Sequence, residues 1–209
     1  MKSVRKNILE KVAVIILTAG NSSRFGKPKA LLHFDETNSF LRNIILEYYS
    51  AGIMNVVIVA NQPLRMKLEG EVEKLPEEMK IKMILNTHPE RGRFSSIKLG
   101  ASLLENSDFA FVQNIDNPFT SSRLIKKMCK KAERCKFVVP AFEGAHGHPV
   151  LLSGEILKQV LSIENIDANF RDVLSAFQSV QVDADNLEIL ANINTQKDYI
   201  KYFHHVAAD

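Results

Sequence analysis

Residues 18–29 are the part of the chain with the most chemical content, and they read Thr-Ala-Gly-Asn-Ser-Ser-Arg-Phe-Gly-Lys-Pro-Lys. A glycine-rich loop with small polar residues presents several backbone N–H groups with little side-chain bulk in front of them. Arg24, Lys27 and Lys29 add positive charge beside those groups. Together these features predict a cradle for a polyphosphate, with an ordinary glycine-rich turn and solvated cations as the alternative.

Residue spacing excludes the two commoner phosphate-binding loops. Five residues separate Gly20 from Gly26, whereas a Walker A loop has four between its glycines and continues with Lys and then Ser or Thr. Lys27 is followed by proline, and no Gly-x-Gly starts at Gly20, so the dinucleotide fingerprint is absent as well. The apolar run 12–17 precedes the loop and has the length of a buried strand. The cradle is therefore predicted at the carboxyl end of a strand, where open α/β sheets bind their ligands.

Strand-like and helix-like segments alternate along the chain. Apolar, β-branched runs predict strands at 12–17, 56–60, 81–85, 109–112 and 137–140. Helical spacing predicts helices at 40–50, 65–75, 95–104, 121–133 and 195–203. The region after residue 141 is less regular. This alternation indicates a single-domain, three-layer α/β/α fold with a mostly parallel, Rossmann-like sheet, in which residues 12–209 form the domain and residues 1–11 an N-terminal tail.

Composition restricts the class of protein further. The chain has 209 residues, 45% hydrophobic residues, a net charge of +3 and no tryptophan. This charge is too small to indicate a nucleic-acid partner by itself. The basic helix 121–133 keeps that alternative open, but we expect its cations to be solvated and no nucleic acid to be bound. No apolar run is long enough to span a membrane, and Cys129 and Cys135 lack the spacing of a zinc site. We therefore expect a cytoplasmic protein without a membrane partner.

Two further places carry side chains suited to metal chemistry. Asp116 follows the predicted strand 109–112 in the sequence Asn-Ile-Asp-Asn-Pro, either to bind a hard cation or to stabilise a turn before proline. The residues alone leave both interpretations of Asp116 open. His146 and His148 are two residues apart with no third ligand evident, which disfavours a metal site there.

Residues 17–29 resemble the signature of the nucleotidyltransferases with the nucleotide-diphospho-sugar-transferase fold, Leu-x-Ala-Gly-x-Ser-x-Arg-Met-Gly-x-Pro-Lys. They are most similar to the MobA-like branch, the molybdenum-cofactor cytidylyl- and guanylyltransferases, and Phe25 in place of Met is the one departure. The resemblance implies a Mg²⁺-dependent enzyme that transfers an NMP group from an NTP, with CTP or GTP favoured, to a phosphorylated acceptor and releases pyrophosphate. Molybdopterin is the first acceptor it implies, with a molybdoenzyme or maturation factor as protein partner. A sugar or alditol phosphate as acceptor, and a catalytically impaired nucleotide-binding regulatory module, are the alternatives.

The resemblance assigns roles to individual residues. It implies that Lys29 approaches the α-phosphate, that Arg24 holds the β- and γ-phosphates, and that Asp116 holds Mg²⁺, and these are the three predicted catalytic residues. The predicted nucleotide-binding residues are Leu17, Thr18, Ala19, Gly20, Asn21, Ser22, Arg24, Lys29, Asn61, Asn86 and Ser95. Ser95 has a second interpretation as the N-cap of a helix.

Residues 192–194, Asn-Ile-Asn, resemble the second metal-side motif of the family. The predicted Mg²⁺ ligands are therefore Asp116, Asn192 and Asn194. The cytidylyl branch has Asp at both asparagine positions, and the guanylyl branch more often has Asn, as here. Asn61 also favours GTP, whereas residues 18–20 favour CTP. Asn194 has the alternative role of capping the last helix.

Two segments resemble the acceptor side of the family. Residues 147–152 resemble its Gly-(His/Asn)-Pro-Val-Leu motif, and residues 167–171 resemble a loop usually written Gly-Asp-x-Gly-Ala-Arg. In the second segment Ile166 and Asn169 stand where the family has glycine. The predicted acceptor-side residues are Gly147, His148, Asp167 and Arg171, and Asp167 has the alternative role of a helix cap.

Overall fold

The central strand of the sheet, β1, is Val12–Leu17, the apolar run that precedes the glycine-rich loop. The computed structural model describes residues 9–20, 25–104, 107–165 and 167–203. Residues 12–16 are fully buried, so both faces of this strand are covered. An apolar residue at every position is what a strand needs when helices pack on both sides of a parallel sheet.

The other elements follow in alternation, as the sequence pattern predicts. The further strands are β2 (Asn55–Ala60), β3 (Lys80–Leu85), β4 (Phe109–Asn114), β5 (Phe137–Phe142), β6 (Ala145–His146), β7 (Val150–Ser153) and β8 (Ser179–Asp183). The helices are α1 (Phe40–Ala51), α2 (Gln62–Val72), α3 (Gly92–Ala101), α4 (Ser122–Cys129), α5 (Gly154–Ser162), α6 (Phe170–Ser175) and α7 (Gln196–Tyr202). Short 3₁₀ turns lie at Lys29–Leu31, Pro89–Arg91, Ala132–Arg134 and Leu187–Leu190.

The strand order places a topological switch point beside β1. The order is β3-β2-β1-β4-β7-β5-β6, with β8 paired to β5. Strands β1 to β4 are parallel, and β7 runs antiparallel to both β4 and β5. The chain runs outward from β1 to β3 and then crosses to β4 on the other side of β1. Ligands of open α/β sheets bind in the crevice at such a point, which here lies at the carboxyl ends of β1 and β4.

Two hydrophobic clusters cover the two faces of the sheet and confirm the predicted three-layer α/β/α fold. Val12, Val14 and Ile16 of β1 face the cluster that contains residues of α1, α2, α4 and α7. Ala13 and Ile15 face the opposite cluster, which contains residues of α3, α5 and α6. This split follows from the two-residue period of side chains along a strand.

Gly100 allows α3 to pack closely on the sheet. A Cβ atom at this position would collide with the side chain of Ile15 in β1 and would also press on Val59 in β2. Glycine removes that obstacle, so the helix backbone approaches the strands directly. The opposite end of α3 begins at Gly92, near the carboxyl ends of these strands.

The structure differs from several of the predicted elements. The helices predicted at 65–75, 95–104 and 121–133 are Gln62–Val72, Gly92–Ala101 and Ser122–Cys129. The start of α3 at Gly92 was not predicted because its first turn has no apolar residue before Phe94. The region after residue 141, predicted to be less regular, contains β6, β7, α5, α6 and β8. Strands β6, β7 and β8 have only two, four and five residues, too few to show hydrophobic periodicity in the sequence. Their pairing in the sheet defines them as strands.

Candidate active site

Lys29 connects two separate segments at the switch point. Its Nζ atom donates a hydrogen bond to Oδ1 of Asn194 at 2.7 Å and lies 3.8 Å from Oδ2 of Asp116. The side chain of Lys29 is only 13% exposed, so this ammonium group acts in a partly dehydrated environment. The structure therefore brings together one cation, one carboxylate and one amide oxygen that the sequence predicted at a common site.

Asp116 lies just beyond β4 and has one carboxylate oxygen without a partner. Oδ1 is buried and accepts no hydrogen bond within the described part of the chain. The backbone oxygen of Asp116 accepts a hydrogen bond from the N–H of Ile193 at 2.7 Å, which ties residues 192–194 to this loop. A buried carboxylate oxygen of this kind, near a lysine that also contacts the amide oxygen of Asn194, suits a hard cation that completes its coordination with phosphates and water.

Asn194 is positioned by the capping box of α7. Its backbone N–H and that of Thr195 donate to Oδ2 of Asp198 at 3.0 and 2.8 Å, and the N–H of Asp198 donates to Oγ1 of Thr195. These hydrogen bonds hold the pKa of the Asp198 carboxyl below its usual range. The cap itself is Thr195, so the side chain of Asn194 points to Lys29 and is not used for capping. Asn192 is solvent exposed, and within the described residues its side chain forms no hydrogen bond to the other predicted ligands.

An aromatic cluster anchors α7 and hence Asn194. Tyr199 donates its hydroxyl hydrogen to the backbone oxygen of His33 at 2.8 Å and stacks on Phe203 with ring centroids 5.0 Å apart. Phe25, which stands where the family has Met, packs edge-on against Tyr199 at 5.9 Å. The last helix is thereby joined to the end of the glycine-rich loop.

A cavity of about 270 Å³, here called the small cavity, lies at this point. Its lining includes five of the predicted residues, Leu17, Ala19, Gly20, Lys29 and Asp116. It also includes six residues outside the list of predicted site residues, namely Pro89, Gly92, Arg93, Ser96, Asn114 and Ile115. The predicted residues Asn21, Ser22 and Arg24 lie outside the described residues.

Three other predicted nucleotide-binding residues, Thr18, Asn61 and Asn86, do not line the small cavity but form hydrogen bonds near its walls. Thr18 is buried and donates through Oγ1 to the backbone oxygen of Val59 at 2.8 Å. Asn61 donates through Nδ2 to the backbone oxygen of Ala19 at 3.2 Å, and its Oδ1 caps α2. Asn86 is buried and donates to Oγ of Ser96 at 2.9 Å, so its link to the cavity runs through that serine.

Ser95 does not cap a helix, contrary to one of its two interpretations. The residue lies inside α3, whose N-cap position is Arg91, and its Oγ donates to the backbone oxygen of Gly92 at 2.9 Å. Its neighbour Ser96 lines the small cavity instead. Because α3 starts at Gly92 and not at residue 95, Ser95 lies inside the helix and is not its N-cap.

A second cavity of about 990 Å³, here called the wide cavity, adjoins the first and collects all four predicted acceptor-side residues. Gly147, His148, Asp167 and Arg171 line it, together with apolar residues that include Phe94, Phe137, Phe170 and Phe177. Asp167 does not cap α6, because the side chain that accepts the first-turn N–H, that of Arg171, belongs to Asn169. The two segments predicted on the acceptor side therefore meet in space.

His148 is held neutral at the wall of the wide cavity. Burial, together with the positive charge of Arg93, lowers the pKa of its imidazole to about 4. Nε2 lies 3.2 Å from the amide nitrogen of Asn114, so a neutral ring accepts there and carries its proton on Nδ1. Nδ1 is buried and has no partner within the described residues. The imidazole can therefore offer a hydrogen bond to a bound molecule.

Metal binding by the two histidines finds no support. Across the described ranges, no group of three or more His, Cys, Asp or Glu side chains could hold a metal ion. His146 is exposed, and its Nε2 pairs with the side chain of Gln181 at 2.7 Å. In the same described part of the chain, no helix is long and apolar enough to cross a membrane.

Asn117 was not predicted as a site residue, and it connects the loop after β4 to residues 188–191. It is fully buried, and its Nδ2 donates to the backbone oxygens of Glu188 at 3.3 Å, of Ile189 at 2.9 Å and of Ala191. The oxygen of Ile189 also accepts the N–H of His148 at 3.1 Å. The segment 188–191 is thus held between Asp116 and His148.

A sheet with these side chains at its switch point, beside a second polar cavity, is the architecture of a nucleotide-binding transferase. The model of the MobA-like NTP transferase domain matches residues 14–182, and the chain belongs to this family of nucleotidyltransferases. The family binds a nucleoside triphosphate and a phosphorylated acceptor.

Proteins of known name can be aligned with nearly the whole length of this chain. The chain is 24% identical over 189 residues to the molybdenum cofactor cytidylyltransferase of Escherichia coli, covering 89% of this chain and 92% of that protein. It is 26% identical over 200 residues to a Methanosarcina acetivorans protein named "Probable molybdenum cofactor guanylyltransferase", covering 89% and 87%. The fold is similar to that of 4-diphosphocytidyl-2C-methyl-D-erythritol synthase from Anaerococcus prevotii, with a TM-score of 0.75, 14% identity and coverage of 95% of this chain and 96% of that chain.

Proposed function

We propose that this protein transfers an NMP group from CTP or GTP to a phosphorylated acceptor, with molybdopterin as the first candidate, and releases pyrophosphate. The observation that carries the proposal is that Lys29 and Asp116 line the small cavity at the end of β1, with Lys29 hydrogen-bonded to Asn194. The names of the two molybdenum cofactor relatives support the choice of acceptor and of nucleotides. A transferase of this kind works in the cytoplasm, and a molybdoenzyme or maturation factor is the protein partner that would receive its product.

The reaction needs positioning and charge more than a nucleophilic side chain. An oxygen of the acceptor phosphate forms a bond to the α-phosphorus, while the bond from that phosphorus to the bridging oxygen breaks. The bridging oxygen keeps the electron pair and leaves with pyrophosphate. Since a phosphate monoester is ionised at neutral pH, no Ser or Cys nucleophile is required. Catalysis then depends on holding the two phosphates in line and stabilising the negative charge.

Lys29 is the residue proposed to stabilise that charge. Its ammonium group faces the small cavity from the side of Asp116 and Asn194, and it is mostly shielded from water. A cation in such an environment interacts more strongly with phosphate oxygens than one on the surface. The backbone of Ala19 and Gly20 lines the same cavity, and Arg24 is proposed to hold the β- and γ-phosphates.

Mg²⁺ is the proposed cofactor, and Asp116 with Asn194 fits it. Asp116 supplies a buried carboxylate oxygen that has no partner among the described residues, and Asn194 supplies an amide oxygen that accepts a hydrogen bond from Lys29. Mg²⁺ is usually held by one or two carboxylates and by the phosphates of its substrate, so this small donor set is sufficient. When bound, the ion would neutralise charge on the phosphates. Asn192 remains a predicted ligand.

The wide cavity is the proposed acceptor site. His148 offers a buried Nδ1–H donor there, and Arg171 adds positive charge. Asp167 and Gly147 complete the predicted set. Gly147 has a steric role, because a Cβ atom at this position would collide with Ile189.

Pyrophosphate release tests the proposal directly. The purified protein would be supplied with CTP, GTP, ATP or UTP, with and without Mg²⁺, and with molybdopterin, a sugar phosphate or an alditol phosphate. Pyrophosphate release that needs Mg²⁺, prefers CTP or GTP and occurs with molybdopterin supports the full proposal. Release only with a sugar or alditol phosphate would replace molybdopterin as acceptor. Nucleotide binding without release under any condition would favour the regulatory module.

A further inference from the structure

Arg93 occupies the junction between the two cavities. It lies in the first turn of α3, and among the residues lining the small cavity only Gly92 and Arg93 also line the wide cavity. Its neighbours on one side are Lys29 and Asp116, and on the other side His148 and Arg171. No other charged side chain of the described residues is shared by both cavities.

The charge of Arg93 is not neutralised by a close partner. Its side chain remains accessible to solvent, but partial desolvation by the surrounding protein lowers its pKa. Arg171 adds to this shift, and Asp116 opposes it. An arginine stays protonated in spite of such a shift. Over the described ranges it forms no hydrogen bond and no ion pair. Its close contact is with the ring of Phe170, whose centroid lies 5.7 Å from the guanidinium carbon.

The surroundings of Arg93 are electropositive on the acceptor side. Arg171 and Arg93 repel each other, and the charge of Arg93 also lowers the pKa of His148. An anion bound here would relieve the repulsion between the two arginines. A guanidinium group presents five N–H donors in a planar fork, which matches the oxygens of a phosphate.

The proposed reaction requires an anion at this place. The acceptor phosphate must approach the α-phosphate of the nucleotide, and the two groups repel each other because both are negatively charged. Lys29 stands on the nucleotide side of the junction. A second cation between the two cavities would hold the acceptor phosphate against this repulsion.

We propose that Arg93 is a further catalytic residue, which binds the acceptor phosphate at the junction of the two cavities and holds it in line with the α-phosphorus. The proposal rests on the proposed function. The oxygen held by Arg93 is the one that forms the new bond to the α-phosphorus as pyrophosphate departs. The guanidinium group itself neither gains nor loses a proton.

Orthophosphate, as a probe for the acceptor phosphate, tests this role by calorimetric titration. The protein is first saturated with Mg²⁺ and the α,β-methylene analogue of CTP or GTP, so that the sites of the nucleotide phosphates are filled. We expect Arg93→Gln to weaken orthophosphate binding by about tenfold or more, since charge-assisted hydrogen bonds are lost. Arg93→Lys, which keeps the charge but loses the fork, should lie in between. The affinity of each variant for the analogue is measured first, so that every orthophosphate titration is made at saturation with the analogue.

Arg134→Gln is the matched control, because it removes the same charge at a position outside both cavities, and it should leave orthophosphate binding unchanged. The inference is overturned if Arg93→Gln binds orthophosphate as the wild type does, or if the wild-type complex with the analogue binds none. If Arg93→Gln does not fold, Arg93→Lys decides, and unchanged orthophosphate binding by that variant overturns the inference. Failure of the wild type to bind either analogue would instead overturn the proposed function itself.

Discussion

The Nζ atom of Lys29 lies 2.7 Å from Oδ1 of Asn194, a residue 165 positions later in the chain. The lysine follows the glycine-rich loop after β1, and the asparagine is held by the capping box of α7. The last helix is therefore part of the candidate active site, and anything that displaces it also changes the environment of Lys29.

Replacement of Lys29 tests the catalytic role assigned to it. In Lys29→Met the ammonium group proposed to stabilise the α-phosphate is lost, so kcat should fall by about 10²- to 10³-fold, the usual cost of removing one group that stabilises the transition state. NTP binding should weaken much less than kcat falls. Steady-state pyrophosphate release and calorimetric titration with the preferred NTP would separate the two effects.

The control for Lys29→Met is Lys158→Met, which changes an exposed lysine of α5. This variant should keep the wild-type kcat. A folded Lys29→Met protein with wild-type turnover would exclude Lys29 as a catalytic residue.

Asn194→Asp and Asn192→Asp together identify the metal ligand. A carboxylate at position 194 would add a charged oxygen next to Asp116, so binding of Mn²⁺, used as a spectroscopic substitute for Mg²⁺, should tighten by about tenfold in the presence of NTP. The same change at the exposed Asn192 should have a smaller effect. Electron paramagnetic resonance of free Mn²⁺ measures both affinities. A larger gain at position 192 would reverse the assignment.

Local patterns of hydrophobic residues predict much of the fold, as β1 illustrates. Its uninterrupted apolar run and the following loop are contiguous in sequence, so the strand, the loop and Lys29 can be read directly. The site residues Asp116 and Asn194 were predicted through resemblance to a family, and the structure places both near Lys29. The resemblance also predicted Asn61 and Asn86 at the nucleotide site, and their side chains form internal hydrogen bonds to Ala19 and Ser96.

Features that depend on long-range packing escaped prediction. Residue spacing reveals neither the close approach of α3 to Ile15, which Gly100 allows, nor the position of Arg93 between the two cavities. Asn117 bonds to residues more than 70 positions away. The short strands after residue 141 are stabilised by neighbours in the sheet, so their own composition carries little signal.

His148 should make stability depend on pH. In the unfolded chain its pKa is near the ordinary value of 6.5, and in the folded protein burial and Arg93 lower it to about 4. Between these pH values the unfolded chain binds a proton that the folded protein does not, so the free energy of unfolding falls as the pH falls from 6.5 towards 4. The contribution is fully present above pH 6.5 and amounts to at most about 3 kcal/mol.

Urea denaturation of wild type and His148→Gln at pH 7 and pH 5 measures this contribution. The variant should lose less stability over this interval than the wild type does. His146→Gln, which replaces an exposed histidine, serves as the control and should keep the wild-type dependence. Equal pH dependence in wild type and His148→Gln would show that His148 does not titrate as described.

Asn117 should be important for stability as well as for the site. Asn117→Leu removes a buried donor from the backbone oxygens of Glu188, Ile189 and Ala191, of which the first two keep a backbone donor, so the free energy of unfolding should fall by about 1–3 kcal/mol. Asn55→Ala, which removes one exposed side-chain hydrogen bond to the backbone of Glu10, should cost no more than about 1 kcal/mol. Denaturation curves of the three proteins provide the comparison. A loss below 1 kcal/mol for Asn117→Leu would mean that residues 188–191 are held by other contacts.

Binding of nucleoside triphosphates in the presence and absence of Mg²⁺ tests the central claim most directly. Calorimetric titrations of the wild type and of Asp116→Ala with CTP, GTP, ATP and UTP would be compared. The site described here predicts that CTP or GTP binds best with Mg²⁺, and that binding weakens at least about tenfold when either Mg²⁺ or the Asp116 carboxylate is removed. Absence of binding by every nucleotide, or binding that is indifferent both to Mg²⁺ and to Asp116→Ala, would contradict it.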